Sequence, residues 1–278
     1  MLQPWALGVF TSLDAGLGAG LEAVRALGVE TVQLHAPQPE TRRAPAEVKA
    51  ALGHAGVTVT CVFCGFEGES YADIPTVART VGLVPEATFA ARLAETQAIA
   101  DFALALGVDA VGLHIGFVPE DPADPVFARV TAAAAQVCDY LAPRGQWLHL
   151  ETGQETAGAL LAFFQAVGRP NLAINFDPAN MILYGSGQPL EALRLVGRHV
   201  RSCHCKDARW AARPGLEWGA ETPLGEGDVD LAAYLRTLAD VGYRGPLTIE
   251  REIGGPEQIR DIRAALGKLA ALRAEILG

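Results

Sequence analysis

The chain has 278 residues, half of them hydrophobic and 19% charged, with a formal net charge of −10. That balance fits a globular protein with a large core, and one α/β barrel accounts for this length without a second domain. An acidic chain with no local basic cluster excludes a nucleic-acid partner, and polar residues such as His54, Thr58 and Thr60 break the most apolar stretch well before the roughly eighteen residues of a membrane span.

Short β-rich runs alternate with Ala/Leu-rich runs of helical period along the whole chain. The pattern predicts strands near 6–10, 30–35, 57–63, 109–114, 146–151, 171–177, 199–205 and 246–250. Helices are predicted between them at about 17–27, 44–54, 88–106, 127–142, 155–167, 189–196, 229–240 and 256–276. Glycine stops precede several strands, as in "ALGVE" (26–30), "HAGVT" (54–58), "ALGVD" (105–109) and "DVGYR" (240–244). Eight strand–helix units predict a single (β/α)8 TIM barrel over residues 1–278, with an open doubly wound sheet as the competitor. Two connections, about 65–87 and 206–228, are longer than a connection requires.

In such a barrel the reactive groups belong at the C-terminal ends of the strands. "AVGLH" ends at His114, "WLHLE" at Glu151, "AINFD" at Asp177, "RSCH" at His204 and "LTIE" at Glu250. Their preceding neighbours Leu113, Leu150, Phe176, Cys203 and Ile249 are apolar, so alternation turns the ionisable set into the barrel mouth. Any one of them alone reads as a satisfied strand-end residue; five strands repeating the pattern do not. Three carboxylates converging with a histidine repel one another unless a cation intervenes, which points to a metal site at Glu151, Asp177, His204 and Glu250. Oxygen donors with one imidazole favour one Mn²⁺, Mg²⁺ or Co²⁺ ion, with Zn²⁺ as the alternative.

"HLETGQET" (149–156), "NFDPANMILYG" (175–185), "CHCKD" (203–207), "PLGEGDVD" (223–230) and "LTIERE" (247–252) resemble the sugar phosphate isomerase/epimerase family with the xylose isomerase-like TIM barrel. The resemblance runs over essentially the whole chain and includes the ketose 3-epimerases. It implies that Glu151, Asp177, His204 and Glu250 bind one divalent metal, and that Glu151 and Glu250 act from opposite faces of a sugar. Asn180 stands where ketose 3-epimerases place a histidine; it hydrogen-bonds a hydroxyl but shuttles no proton, which opens the substrate to another ketose, an inosose or a keto-glycoside. Apurinic-site endonucleases are more distant relatives. The further histidines of their three-zinc cluster are missing: Cys64 and Asn180 occupy two of those places, and no histidine follows His204.

His114 and His35, each ending a strand, are candidates for substrate contact, with a satisfied strand-end histidine as the alternative. His149, one layer below Glu151, reads as a supporting hydrogen-bond partner. Lys206 faces inward, either toward the substrate or in an ion pair with Asp207 or Glu250. Glu155 either opens the following helix or contacts substrate, and Arg209 in the 206–228 connection is a further substrate-binding candidate. Tyr71, Trp210 and Trp218 in the long connections offer platforms for a sugar or pack in a subunit interface.

Neither a Gly-rich phosphate cradle nor a G-x-S-x-G elbow is present, and Cys64 lacks an evident base. Five scattered cysteines do not form a disulfide framework, and the first residues lack a basic head and cleavage site, so a cytoplasmic protein is expected. The expected function is a divalent-metal-dependent carbohydrate isomerase or epimerase working through a metal-stabilised enediolate on a small-molecule sugar or keto-polyol. A dehydratase or lyase using the same site is the alternative, and phosphodiester cleavage and passive sugar binding rank lower. Membrane partners are not expected, and a homo-oligomer stays open.

Overall fold

The computed structural model describes residues 3–13 and 18–278. Chain order runs β1 (Leu7–Ser12), α1 (Leu21–Leu27), β2 (Thr31–His35), α2 (Pro45–Ala55), β3 (Thr58–Phe63), α3 (Ile74–Thr80), α4 (Phe89–Leu106), β4 (Ala110–Leu113), α5 (Pro125–Leu141) and β5 (Trp147–Glu151). It continues with α6 (Ala157–Val167), β6 (Leu172–Phe176), α7 (Pro178–Tyr184), α8 (Pro189–Val196), β7 (Val200–Cys205), β8 (Asp207–Arg209), β9 (Ala220–Thr222), α9 (Leu231–Asp240), β10 (Leu247–Ile249) and α10 (Gly255–Leu277).

Eight parallel strands close in the order β1-β10-β7-β6-β5-β4-β3-β2. All eight predicted strands are present, and the closed ring rules out the open sheet. Outward residues such as Val32, Leu34, Val62, Leu150 and Ile174 are buried under the helices, while Phe10, Cys61, Phe63 and Ala110 form a separate cluster inside the barrel. Cys203 and Cys205 join the outer core, as alternation requires. Asp124 and Asp230 cap α5 and α9 with side-chain oxygens on Val126 N (2.8 Å) and Ala233 N (2.9 Å).

The long connections carry structure the sequence pattern did not reveal. Residues 65–87 contain α3, held by Arg92, whose guanidinium donates to the carbonyls of Thr80 (2.6 Å), Gly82 (2.8 Å) and Glu67 (3.2 Å). Residues 206–228 contain the antiparallel hairpin β8–β9. Asp207 organises it by accepting hydrogen bonds from the backbone N–H groups of Ala208, Gly225, Gly227 and Val229, at 2.8–3.0 Å. The predicted first helix begins at Leu21 rather than 17; residue 17 lies outside the described residues. Helix α7 follows β6 directly where no helix was predicted.

Candidate active site and metal centre

Four strand ends bring Glu151, Asp177, His204 and Glu250 together, with one donor atom from each within 4.8 Å of all the others. His204 Nδ1 sits at the centre, 2.8 Å from Glu151 Oε1, 3.2 Å from Glu250 Oε2 and 3.3 Å from Asp177 Oδ2. Asp177 divides its labour: Oδ1 caps α7 by accepting from Ala179 N (2.8 Å) and Asn180 N (3.0 Å), while Oδ2 faces the cluster. The "DPAN" sequence does both jobs, because the proline at the first helical position needs no hydrogen-bond partner for its nitrogen.

The ring of His204 is oriented from behind. Its Nε2 lies 2.7 Å from Gln33 Oε1, and Gln33 Nε2 donates in turn to Asn175 Oδ1 at 3.1 Å. The carbonyl end of Gln33 accepts a hydrogen bond from Nε2–H and aims Nδ1 at the cluster, so that a cation displacing the proton there would meet the Nδ1 lone pair, the orientation a metal-ligating histidine needs. Phe10 packs edge-on against the ring at 5.8 Å, and Phe63 lies tilted at 5.6 Å.

The electrostatics of the cluster call for a cation. Burial disfavours a charged His204, yet Glu250 and Glu151 beside it hold a proton on the ring well above the usual histidine range. Glu151 Oε1, buried, is engaged by the His204 ring at 2.8 Å, the proton there standing where a cation would. Three hard oxygen donors and one oriented imidazole fit a divalent ion, and the four residues form a candidate metal-binding cluster.

The two glutamates stand in different surroundings. Burial pushes the Glu151 carboxyl up to about 7, against the opposing pull of His204. Burial acts on Glu250 too, but His204 and Lys206 overcome it and hold that carboxyl well below the ordinary range. Lys206, fully buried, donates to Glu250 Oε2 (3.0 Å), Asn180 Oδ1 (3.1 Å) and Glu252 Oε1. Behind it, Arg251 pairs with Glu221 (3.2 Å) and Asp261 (3.0 Å).

Above the cluster opens a cavity of about 550 Å³. Phe10, Phe63, Glu151, Glu250 and Asn180 line its inner part, and Phe66, Tyr71, Leu183, Tyr184 and Trp218 its apolar flank. Close approach at the exit of β3 depends on Gly65, where a Cβ would stand 2.1 Å from His35 Nε2.

With the geometry established, comparison with known proteins decides the family. The profile of the xylose isomerase-like TIM barrel family matches residues 21–272. This chain belongs to the xylose isomerase-like TIM barrel family. A xylose isomerase domain protein from Planctomyces limnophilus superposes with a TM-score of 0.96 at 54% identity, covering 99% of both chains. A family protein from Mycobacterium smegmatis, solved in complex with magnesium, superposes with a TM-score of 0.74 over 99% of this chain and 98% of its own; at 17% identity it shows the shared fold alone. An L-ribulose 3-epimerase from Methylomonas sp. (strain DH-1) is 29% identical over 138 residues, 44% of this chain. That match spans 41% of the epimerase, so the chain covers less than half of the curated relative it matches.

Within this xylose isomerase-like barrel the other candidate residues separate. His114, His35 and Asn180 line the cavity. His114 Nε2 lies 3.2 Å from the Tyr184 hydroxyl, and burial, aided by Lys206, pushes the imidazole down to about 4, so it is neutral at pH 7. Lys206 forms its ion pair with Glu250 and Glu252, while Asp207 is committed to the hairpin. Arg209 is not brought to the cavity: it is exposed on β8, and its guanidinium donates to the Glu226 carbonyl at 2.9 and 3.2 Å. Glu155 does not open the helix either. Thr156 caps α6 through Ala159 N (3.2 Å), and Glu155 is buried beside Gln154 and outside the cavity lining, its carboxyl pushed up to about 8 by burial.

His149 hydrogen-bonds Ser202 Oγ at 2.8 Å in the layer below. Trp218 lines the cavity; Trp210 does not, and its backbone N–H is held by Asp228. Burial raises the thiol of Cys64 far above its ordinary range, which disfavours the thiolate form. Gln33, Glu252, Phe63 and Tyr184 were missed. Gln33 carried one signal, a polar residue at an inward position between outward Val32 and Leu34. Among the described residues, no helix is long and apolar enough to cross a membrane.

Proposed function

We propose that the protein is a divalent-metal-dependent carbohydrate isomerase or epimerase that moves a proton on the carbon next to a carbonyl. The observation that carries this reading is the placement of two glutamates in one four-donor cluster at the base of a cavity of about 550 Å³. A divalent ion held by Glu151, Asp177, His204 and Glu250 would supply Lewis-acid polarisation of the substrate oxygens. Glu151 and Glu250 are the acid–base pair, one removing the proton and the other returning it. Lys206 holds Glu250 in place and keeps it ionised, Asn180 offers its amide N–H to a hydroxyl, and His114, neutral, braces the Tyr184 hydroxyl beside the cavity. Phe10 and Phe63 keep water away from the His204 ring. The similarity to an L-ribulose 3-epimerase supports a sugar with a free carbonyl as the substrate type.

The test is proton exchange. The Mn²⁺-loaded protein, incubated in deuterated water with a panel of ketoses and inososes, should place deuterium next to the carbonyl of its substrate. Loss of water or an alcohol from that substrate would assign the lyase alternative to the same site. No exchange anywhere in the panel, together with no metal uptake, would overturn the proposal.

A further inference from the structure

Resting on that reading of the site, we infer that the cavity takes a neutral sugar conjugate, with the sugar at the glutamate pair and an apolar aryl or alkyl substituent against Tyr71, Tyr184 and Trp218. Size is the first argument. About 550 Å³ falls within the range of roughly 300–1,000 Å³ that holds drug-sized ligands. A free hexose, one ring with its hydroxyls, leaves much of that space to water.

The second argument is how the remaining space is lined. Tyr184 is the hub of an aromatic wall: its ring meets Trp218 at 4.6 Å, Phe117 at 5.7 Å and His114 at 6.0 Å. Its hydroxyl is occupied by His114 Nε2, so the wall presents ring surface rather than a polar handle. Tyr71 stands edge-on to His114 at 5.8 Å and is 47% exposed at the rim, a large aromatic with surface left to cover. The wall is fixed in place, because the hairpin that carries Trp218 is tied to α7 through Gly219 N on the Leu183 carbonyl at 3.0 Å. Aromatic surfaces held this way favour flat or apolar groups by contact area and ring geometry.

Charge sets the third constraint. The two cations at the mouth are consumed: Lys206 by Glu250 and Glu252, Arg251 by Glu221 and Asp261. The cavity lining itself contributes Glu69, Glu151, Glu250 and Glu252 along with the paired Arg251. A phosphate or carboxylate on a substituent lying away from the four-donor cluster would have to break one of these ion pairs to find a positive partner among the described lining residues. The substituent is therefore neutral.

The experiment is calorimetric binding to the Mn²⁺-loaded protein of four probes that keep a free ketose carbonyl: 6-O-methyl-D-fructose, 6-O-benzyl-D-fructose, lactulose and D-fructose 6-phosphate. Binding is read without reference to exchange, so failure of this inference is separable from failure of the exchange assay. The benzyl ether should bind about tenfold or more tightly than the methyl ether. Trp218→Ala and Tyr71→Ala should each bring the ratio of the two affinities close to one; Tyr71 is half exposed, so its variant reads out even if the Trp218 variant does not fold. Equal affinity for the benzyl and methyl ethers, including no binding of either, overturns the inference. Tighter binding of lactulose than of the benzyl ether overturns the apolar assignment, and preference for the phosphate overturns the neutral one.

Discussion

The two sides of the barrel mouth solve the problem of a buried carboxylate in opposite ways. On the β10 side, Glu250 is embedded in an ionic chain through Lys206 to Glu252, with Arg251, Glu221 and Asp261 behind it, and remains ionised. On the β5 side, Glu151 shares the cavity with His114, Tyr184 and Tyr71, pairs with His204 but with no lysine or arginine among the described residues, and has a carboxyl pushed up to about 7 by burial. One cluster thus contains a carboxylate fixed by countercharge and another left responsive to what binds, the kind of divergence that separates acid from base in proton-transfer sites.

If both sides are required, removing either carboxylate is the largest perturbation. Glu151→Gln and Glu250→Gln should each lower the rate of solvent-deuterium exchange by about 10²–10⁴-fold, with the far-ultraviolet spectrum unchanged. Retained exchange in one variant would assign proton transfer to the other side alone. Next in size is Lys206→Met, which leaves Glu250 and Glu252 facing each other without the cation between them. In the presence of a chelator this should cost about 3 kcal/mol in urea unfolding; a smaller cost would mean that the ionic side is screened like a surface.

Gln33→Leu tests whether the cluster depends on support from below. Losing the partner of His204 Nε2 should weaken Mn²⁺ binding by about 10–100-fold with little change in fold, as read by calorimetry. The smallest effect concerns Glu155, which lies on the uncharged side. Its folded-state value of about 8 is above its ordinary value, so the stability it confers is present at acid pH and is lost as pH rises toward 8. Glu155→Gln should therefore gain a few degrees in Tm relative to the parent at pH 8.5 and none at pH 4.5, as followed by calorimetric melting.

The barrel was legible because its strands obey two constraints at once: apolar residues toward the helices, and ionisable residues at the last inward position. That double pattern located Glu151, Asp177, His204 and Glu250. What escaped has no periodic signature. Helix α7 is buried on every side, from Pro178 to Tyr184, so its sequence shows no polar face. The β8–β9 hairpin consists of three-residue strands whose shape comes from one carboxylate, Asp207, collecting amides from across twenty residues. Arg209 and Glu155 lie off the cavity for a related reason: their positions beside motif residues were plain, but the direction of each side chain is set by backbone groups remote in sequence, the Glu226 carbonyl for Arg209 and the backbone at Val118 for Glu155. Gln33 is the converse, a residue remote in sequence that the closure of the barrel brings against His204.

Gln33 also bears on how such a site changes over time. On the proposed reading the four candidate donors are constrained together, since altering any one of them would dismantle the coordination sphere. Position 33 is not so constrained: a single substitution there would alter how firmly the imidazole is held, and how electron-rich it is, while the donor set stays complete. Metal preference would then drift by one-residue steps, and a mutagenesis library confined to the donors would search the less permissive half of the landscape.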